Sequence, residues 1–143
     1  MGVKNALVPR HIVAVDDNAL TLGFVVRSLT MVGHRVTACD SFETGRAALD
    51  QSKPDVVIVD IRLAGYNGLQ LIMLAKSRNP QVRAIAITGF DDADLRNEAA
   101  KMGATFLTKP FSASALQAMV EPTPSVSSSP KEAARDTVIW NSR

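Results

Sequence analysis

The chain has 143 residues, of which 46% are hydrophobic and 21% charged, with one cysteine and a formal net charge of +2 at pH 7. This length fits one domain that buries its core without disulfide or metal staples, and the scattered, nearly balanced charges argue against nucleic acid or an anionic membrane as a direct partner. The lone Cys39 excludes an internal disulfide and a cysteine-based zinc site, so we expect a cytoplasmic protein. No apolar stretch is long enough to span a bilayer, so we expect no membrane segment.

Short apolar runs alternate with helical segments along the chain. Three of the runs are continuously apolar instead of alternating with polar residues: Ile12–Val15, Val56–Val59 and Ala84–Ile87. This pattern is typical of strands covered on both faces of a parallel sheet. Five strands are predicted: His11–Val15, Arg35–Cys39, Val56–Asp60, Arg83–Thr88 and Thr105–Thr108.

Five helices are predicted after these strands, at residues 19–32, 41–51, 68–77, 91–102 and 112–120. Gly33 and Gly103 follow two of them, where glycine accepts the left-handed conformation that ends many helices. Parallel neighbours need long right-handed crossovers, so the alternation predicts an α/β fold with a doubly wound, five-stranded parallel sheet.

The composition divides the chain into three segments. Residues 1–9 are predicted to be an N-terminal lead and residues 10–120 to be the folded domain. From Glu121 the sequence is rich in serine and proline and cannot bury a core, so residues 121–143 are predicted to be a flexible linker or tail.

Polar residues end four of the five predicted strands. Ligands of open parallel sheets bind beyond the carboxyl ends of the strands, so these side chains should meet at one edge. Each has an ordinary alternative: an aspartate or Asn18 as a helix cap, a threonine in a turn, a lysine as a solvated charge. Their joint occurrence favours a functional site made of Asp16, Asp17, Asp60, Thr88 and Lys109, the last followed by Pro110.

Three carboxylates at one edge repel each other, since two that lie about 4 Å apart interact by roughly 4 kcal/mol at an effective dielectric near 20. Hard oxygen ligands suit Mg²⁺, which takes one or two carboxylates and completes its octahedron with water and phosphate oxygens. We therefore predict Mg²⁺ as the cofactor, held on Asp16, Asp17 and Asp60, with Lys109 as the remaining positive charge.

This set, together with Phe106 three residues before the lysine, resembles the receiver domain of bacterial response regulators over about residues 10–120. The resemblance implies a flavodoxin-like strand order 2-1-3-4-5. It also implies that Asp60 accepts a phosphoryl group from a histidine kinase or a histidine phosphotransferase, assisted by Mg²⁺ and Lys109. Such a domain is a phosphoacceptor in two-component signalling and not an enzyme.

The resemblance further implies a switch. The Thr88 hydroxyl would move to the phosphoryl group and Phe106 would turn inward, which reshapes the surface of the fourth helix, fifth strand and fifth helix. The peptide bond between Lys109 and Pro110 is expected to be cis, a geometry that X-Pro bonds adopt at low cost.

Three positions modify this expectation. Arg62 and Phe90 lie two residues after Asp60 and Thr88, where the family tunes the lifetime of the phosphoryl group, and their bulk predicts slow self-dephosphorylation. Ala64 replaces a proline that is common in the family, which predicts a less constrained loop.

Other functions stay open at this stage. A magnesium-dependent phosphatase with an aspartyl nucleophile would need a second aspartate where Arg62 stands, and a nucleotide binder would need a phosphate loop after the first strand. The chain is alternatively a receiver cut from a larger transcription factor or hybrid kinase. No residue identifies the kinase or the downstream partner, and a homodimer formed on phosphorylation stays open.

Overall fold

The computed structural model describes residues 8–89 and 93–121. Five parallel strands form one sheet in the order second, first, third, fourth and fifth along the chain, which confirms the predicted fold class and strand order. The strands have the predicted bounds: β1 (His11–Val15), β2 (Arg35–Cys39), β3 (Val56–Asp60), β4 (Arg83–Thr88) and β5 (Thr105–Thr108). The helices are α1 (Ala19–Thr30), α2 (Phe42–Gln51), α3 (Leu69–Arg78), α4 (Ala93–Lys101) and α5 (Ala113–Val120).

Both faces of the sheet are buried, which explains the continuous apolar runs. Successive residues of β3 point to opposite faces, so Val57 and Val59 pack with residues of α2, α3 and α4 in one core cluster. Ile58 between them belongs to a second cluster with residues of α1 and α5. Helices therefore cover both sides and leave the carboxyl edge of the sheet for the site.

The helices begin and end within a few residues of the predicted positions. α1 ends at Thr30 instead of Val32, and the chain then reverses through Gly33 at a φ of 96°. Ser41 and Ser112 cap α2 and α5 instead of beginning them, because their side chains accept hydrogen bonds from backbone amides of the first turns. Asn18, and not Asp17, caps α1.

An antiparallel hairpin, which the sequence analysis did not predict, follows β3. It pairs Arg62–Leu63 with Tyr66–Asn67. Its turn residues, Ala64 and Gly65, both have positive φ angles, 36° and 91°, as tight hairpin turns require. The segment in which a less constrained loop was expected is thus a hydrogen-bonded hairpin. Residues 62–67 are called the hairpin below.

Some predictions fall outside the described residues. These are Phe90, residues 91–92 at the start of the predicted fourth helix, and residues 1–7 and 122–143 of the lead and tail. The division of the chain into three segments therefore stays a prediction. Within residues 8–89 and 93–121, no helix is long and apolar enough to cross a membrane.

Candidate functional site

The carboxyl edge of the sheet brings the predicted acidic residues together. Asp16 and Asp17 directly follow β1, and Asp60 is the last residue of β3. Each of the three offers a carboxylate oxygen, and these oxygens lie within 4.8 Å of one another. Asp16 and Asp60 are buried while Asp17 is exposed, so the cluster opens to solvent on one side.

Hydrogen bonds that continue the ladders beyond the strand ends hold these positions. The amide of Asp16 donates to the carbonyl oxygen of Cys39 at 3.0 Å, and the amide of Lys109 donates to that of Thr88 at 2.7 Å. The carboxylates also accept from the chain that follows them: Asp16 Oδ1 from the amide of Asn18 at 2.8 Å, and Asp60 Oδ1 from the amide of Arg62 at 3.1 Å.

Lys109 faces two of the carboxylates. Its Nζ donates a hydrogen bond to Asp60 Oδ2 at 3.3 Å and lies 3.2 Å from Asp16 Oδ2. The second contact is an ion pair only, and Asp16 Oδ2 is buried without a hydrogen bond from any described residue. The Lys109–Pro110 peptide bond is cis, as the resemblance implies.

The cluster carries an excess of negative charge. Burial raises the pKa of Asp60, and the charge of Asp16 raises it further, whereas the Arg62 amide and Lys109 lower it. Burial opposes the charge of Lys109, but the carboxylates of Asp60 and Asp16 outweigh it, so the pKa of Lys109 is raised. Three carboxylates against one ammonium leave two formal negative charges, and the buried Asp16 Oδ2 has Lys109 Nζ at 3.2 Å but no hydrogen bond from any described residue. These oxygens therefore fit a hard divalent cation such as Mg²⁺.

The predicted switch residues lie on neighbouring strands. Thr88 ends β4 and is completely buried, and it pairs in register with Thr108, two residues after Phe106. Phe106 is half-buried, and the guanidinium carbon of Arg96 on α4 lies 5.3 Å from the centre of its ring. This cation–π contact was not predicted from the sequence, and the switching role of Thr88 and Phe106 stays a prediction.

Gly68 is a site residue that the sequence analysis missed. A Cβ atom at this position would lie 2.2 Å from the carbonyl oxygen of Asp60 and 2.7 Å from Val59 Cγ1. Its φ of −60° is open to any residue, so close approach and not backbone freedom requires glycine. The one sequence signal is a glycine at the cap of an apolar helix, where side-chain caps are usual.

Comparisons with known proteins give one family. A family model described as the response regulator receiver domain matches residues 12–121. The photosynthetic apparatus regulatory protein RegA of Rhodobacter capsulatus is 30% identical over 136 residues, which cover 92% of this chain and 73% of RegA. The DNA-binding transcriptional regulator NtrC of Klebsiella pneumoniae is 35% identical over 111 residues, which cover 75% of this chain and 23% of NtrC.

Solved structures of receiver domains have the same fold. The BeF3-activated receiver domain of DrrB, a Thermotoga maritima protein, gives a TM-score of 0.70 at 29% identity, covering 79% of this chain and 95% of that one. A response regulator from Burkholderia pseudomallei, with a phosphorylated aspartic acid and a calcium ion, gives 0.73 at 25% identity, covering 78% of this chain and 66% of that one.

Proposed function

The chain belongs to the response regulator receiver domain family, and on this premise we propose that it accepts a phosphoryl group on Asp60 from a histidine kinase or a histidine phosphotransferase. The observation that carries the proposal is the position of Lys109 Nζ, 3.3 Å from Asp60 Oδ2 inside a cluster of three carboxylates. A buried acid with one fixed ammonium and unbalanced negative charge is suited to receiving a phosphoryl group beside a cation.

In the proposed reaction a carboxylate oxygen of Asp60 attacks phosphorus, the bond between phosphorus and the donor imidazole nitrogen breaks, and that nitrogen keeps the electron pair. Lys109 neutralises charge on the transferring group, and the Arg62 amide fixes the rotation of the Asp60 carboxyl. Asp16 and Asp17, with Asp60, would hold Mg²⁺. When bound, the ion supplies neutralising charge for the phosphoryl oxygens.

The proposal includes a switch of the α4-β5-α5 surface through Thr88 and Phe106. Support comes from the ring of Phe106, which lies under Arg96 of α4, so a turn of the ring would break a contact between β5 and α4. New bonds from a phosphoryl group to Thr88 would bias two packings of this surface without another source of energy.

The proposal is tested with acetyl phosphate and Mg²⁺, followed by intact-mass measurement. We expect the parent chain to gain one phosphoryl mass, and Asp60→Asn to gain none. Asp50→Asn is a matched control, because Asp50 lies near the end of α2, where it forms an ion pair with Arg78 of α3. This variant should gain the same mass as the parent. A parent without added mass, or Asp60→Asn with the same added mass, would contradict the proposal.

The remaining parts of the proposal concern partners and location. A phosphatase with an aspartyl nucleophile is disfavoured because the exposed Arg62 replaces its second acid. The chain spans 23% of NtrC and 73% of RegA. We therefore propose, as alternatives, that it acts as the receiver of a larger transcription factor or of a hybrid kinase. A homodimer formed on phosphorylation is a further part of the proposal. We also propose a cytoplasmic location, which is consistent with the free, buried thiol of Cys39.

Arg62→Ala is expected to shorten the lifetime of the phosphoryl group about threefold, because a long side chain two residues after Asp60 would no longer be available to obstruct water. Phe90→Ala, at a position outside the described residues, is expected to act in the same direction. The measurement is the decay of phosphorylated mass after the donor is removed. Arg62→Lys is the control, since it keeps most of the length of the side chain, and equal decay rates for all variants would refute the idea.

A further inference from the structure

An aromatic stack joins the hairpin to α2. The rings of Phe42 and Tyr66 have centroids 4.6 Å apart and planes inclined by 12°. Tyr66 is 46% exposed, so its ring lies over Phe42 at the surface and is not enclosed by a core. Interaction with the carboxylate of Glu43, the residue after Phe42, raises the pKa of the Tyr66 hydroxyl.

α2 and the hairpin each lie next to a segment that carries one of the buried site carboxylates. α2 packs closely on β1, since a Cβ atom on Gly45 would lie 2.9 Å from a methyl carbon of Val15, the residue before Asp16. On the other side, the hairpin begins two residues after Asp60, and its first amide, that of Arg62, donates to Asp60 Oδ1. Through α2 and the hairpin, the stack thus links the segment that contains Asp16 to the segment that contains Asp60.

The hairpin needs support from outside itself. Each of its strands has two residues, and isolated hairpins are marginal even when they are longer. Its turn holds Ala64 at a φ of 36°, a conformation unfavourable for residues other than glycine. Leu63 is buried in the core and anchors the first strand. Tyr66, paired opposite Leu63, anchors the second strand through Phe42.

We propose that the stack of Tyr66 on Phe42 positions the Asp60 carboxyl for phosphoryl transfer. The inference rests on the proposed function and deepens it. Tyr66 does not touch the reacting atoms and is a positioning residue: it holds the hairpin, the hairpin holds the Arg62 amide, and that amide fixes the rotation of the carboxyl. The same link keeps the separation between Asp16 and Asp60 that a shared cation needs.

The test uses the full chain with Tyr66→Ala, Phe42→Ala, the double variant and Tyr66→Phe. We expect each alanine variant to be phosphorylated by acetyl phosphate about fivefold more slowly, because small displacements of a reacting group lower rates strongly. The double variant should be no slower than either single one, since both remove the same contact. Tyr66→Phe keeps the ring and should react within about twofold of the parent.

Two further readouts separate positioning from general destabilisation. The Mg²⁺ concentration for half-maximal rate and the Mg²⁺ affinity from calorimetry should both weaken in the alanine variants, while Tyr66→Phe keeps the parent values. Met73→Ala removes a side chain of similar exposure from α3 and is the matched control for loss of an exposed apolar group. It should match the parent in rate and in Mg²⁺ affinity.

The inference is overturned by parent-like rates and Mg²⁺ affinities in both alanine variants, or by rate losses that multiply in the double variant. Rates that fall only in proportion to the unfolded fraction, measured by circular dichroism at the assay temperature, would also overturn it. A parent chain that takes up no phosphoryl group would refute the proposed function and this inference together. A phosphorylated parent beside equally fast alanine variants would refute this inference alone.

Discussion

Gly68→Ala is expected to lower the free energy of unfolding by about 3 kcal/mol, at the upper end of the usual cost of overpacking a closely packed site. The new methyl group would lie 2.2 Å from the carbonyl oxygen of Asp60, and backbone cannot move aside as a flexible side chain can. The amide of Gly68 also donates to the carbonyl oxygen of Ile61 at 2.6 Å. A backbone movement that relieved the clash would therefore displace the residues on either side of Asp60, the proposed phosphoacceptor.

Thermal unfolding by circular dichroism measures the loss, and the midpoint should fall by about 10 °C for a domain of this size. Phosphorylation by acetyl phosphate at low temperature, where the variant is folded, should also be slower. Gly89→Ala is the matched control, because a Cβ atom at Gly89 would have no atom of the non-adjacent described residues within 4 Å. Equal midpoints for the two alanine variants would show that the close approach at Gly68 is not needed.

The sequence predicts the strands of this fold better than the ends of its helices. All five strands have the predicted bounds. In the inner strands, burial on both faces leaves a long apolar run with sharp polar ends, as in Val56–Asp60, whereas the edge strands Arg35–Cys39 and Thr105–Thr108 are partly exposed. Helix ends depend on single hydrogen bonds that composition does not fix. Ser41 reads equally well as a first residue or a cap, and only its bond from the Thr44 amide decides between them.

The site was predictable to the extent that it follows from topology. Parallel strands end at one edge, so the meeting of Asp16, Asp60 and Lys109 follows once the strands are assigned. Contacts made by approach in space have no comparable sequence signal. The distance from Gly68 to the Asp60 carbonyl and the stack of Tyr66 on Phe42 depend on how the hairpin turns back.

Lys109→Met is expected to lower the free energy of unfolding at pH 7 by about 2 kcal/mol in buffer with a metal chelator. Removing one partner of a buried pair leaves uncompensated charge, and we reduce the usual cost because the Lys109 side chain is 24% exposed. The variant would remove the hydrogen bond from Lys109 to Asp60 Oδ2 and the ion pair of Lys109 with Asp16. Chemical denaturation measures the loss, and Lys109→Arg, which keeps the charge, should lose less.

The pH dependence of this loss identifies its cause. Burial and Asp16 raise the pKa of Asp60 in the folded chain above its ordinary value of 3.8, so the folded state binds the proton more tightly and stability falls as pH rises through that window. Without Lys109 the pKa of Asp60 should rise further, so the fall in stability should be larger and should extend to higher pH. Parent and Lys109→Met should therefore be nearly equal in stability well below pH 3.8, where the carboxyl is protonated in both the folded and the unfolded state, and should diverge as the pH rises above 3.8. Adding Asp60→Asn should remove much of the divergence. A loss from Lys109→Met that is the same at every pH would mean that the lysine supports the fold through the packing of its stem and not through its charge.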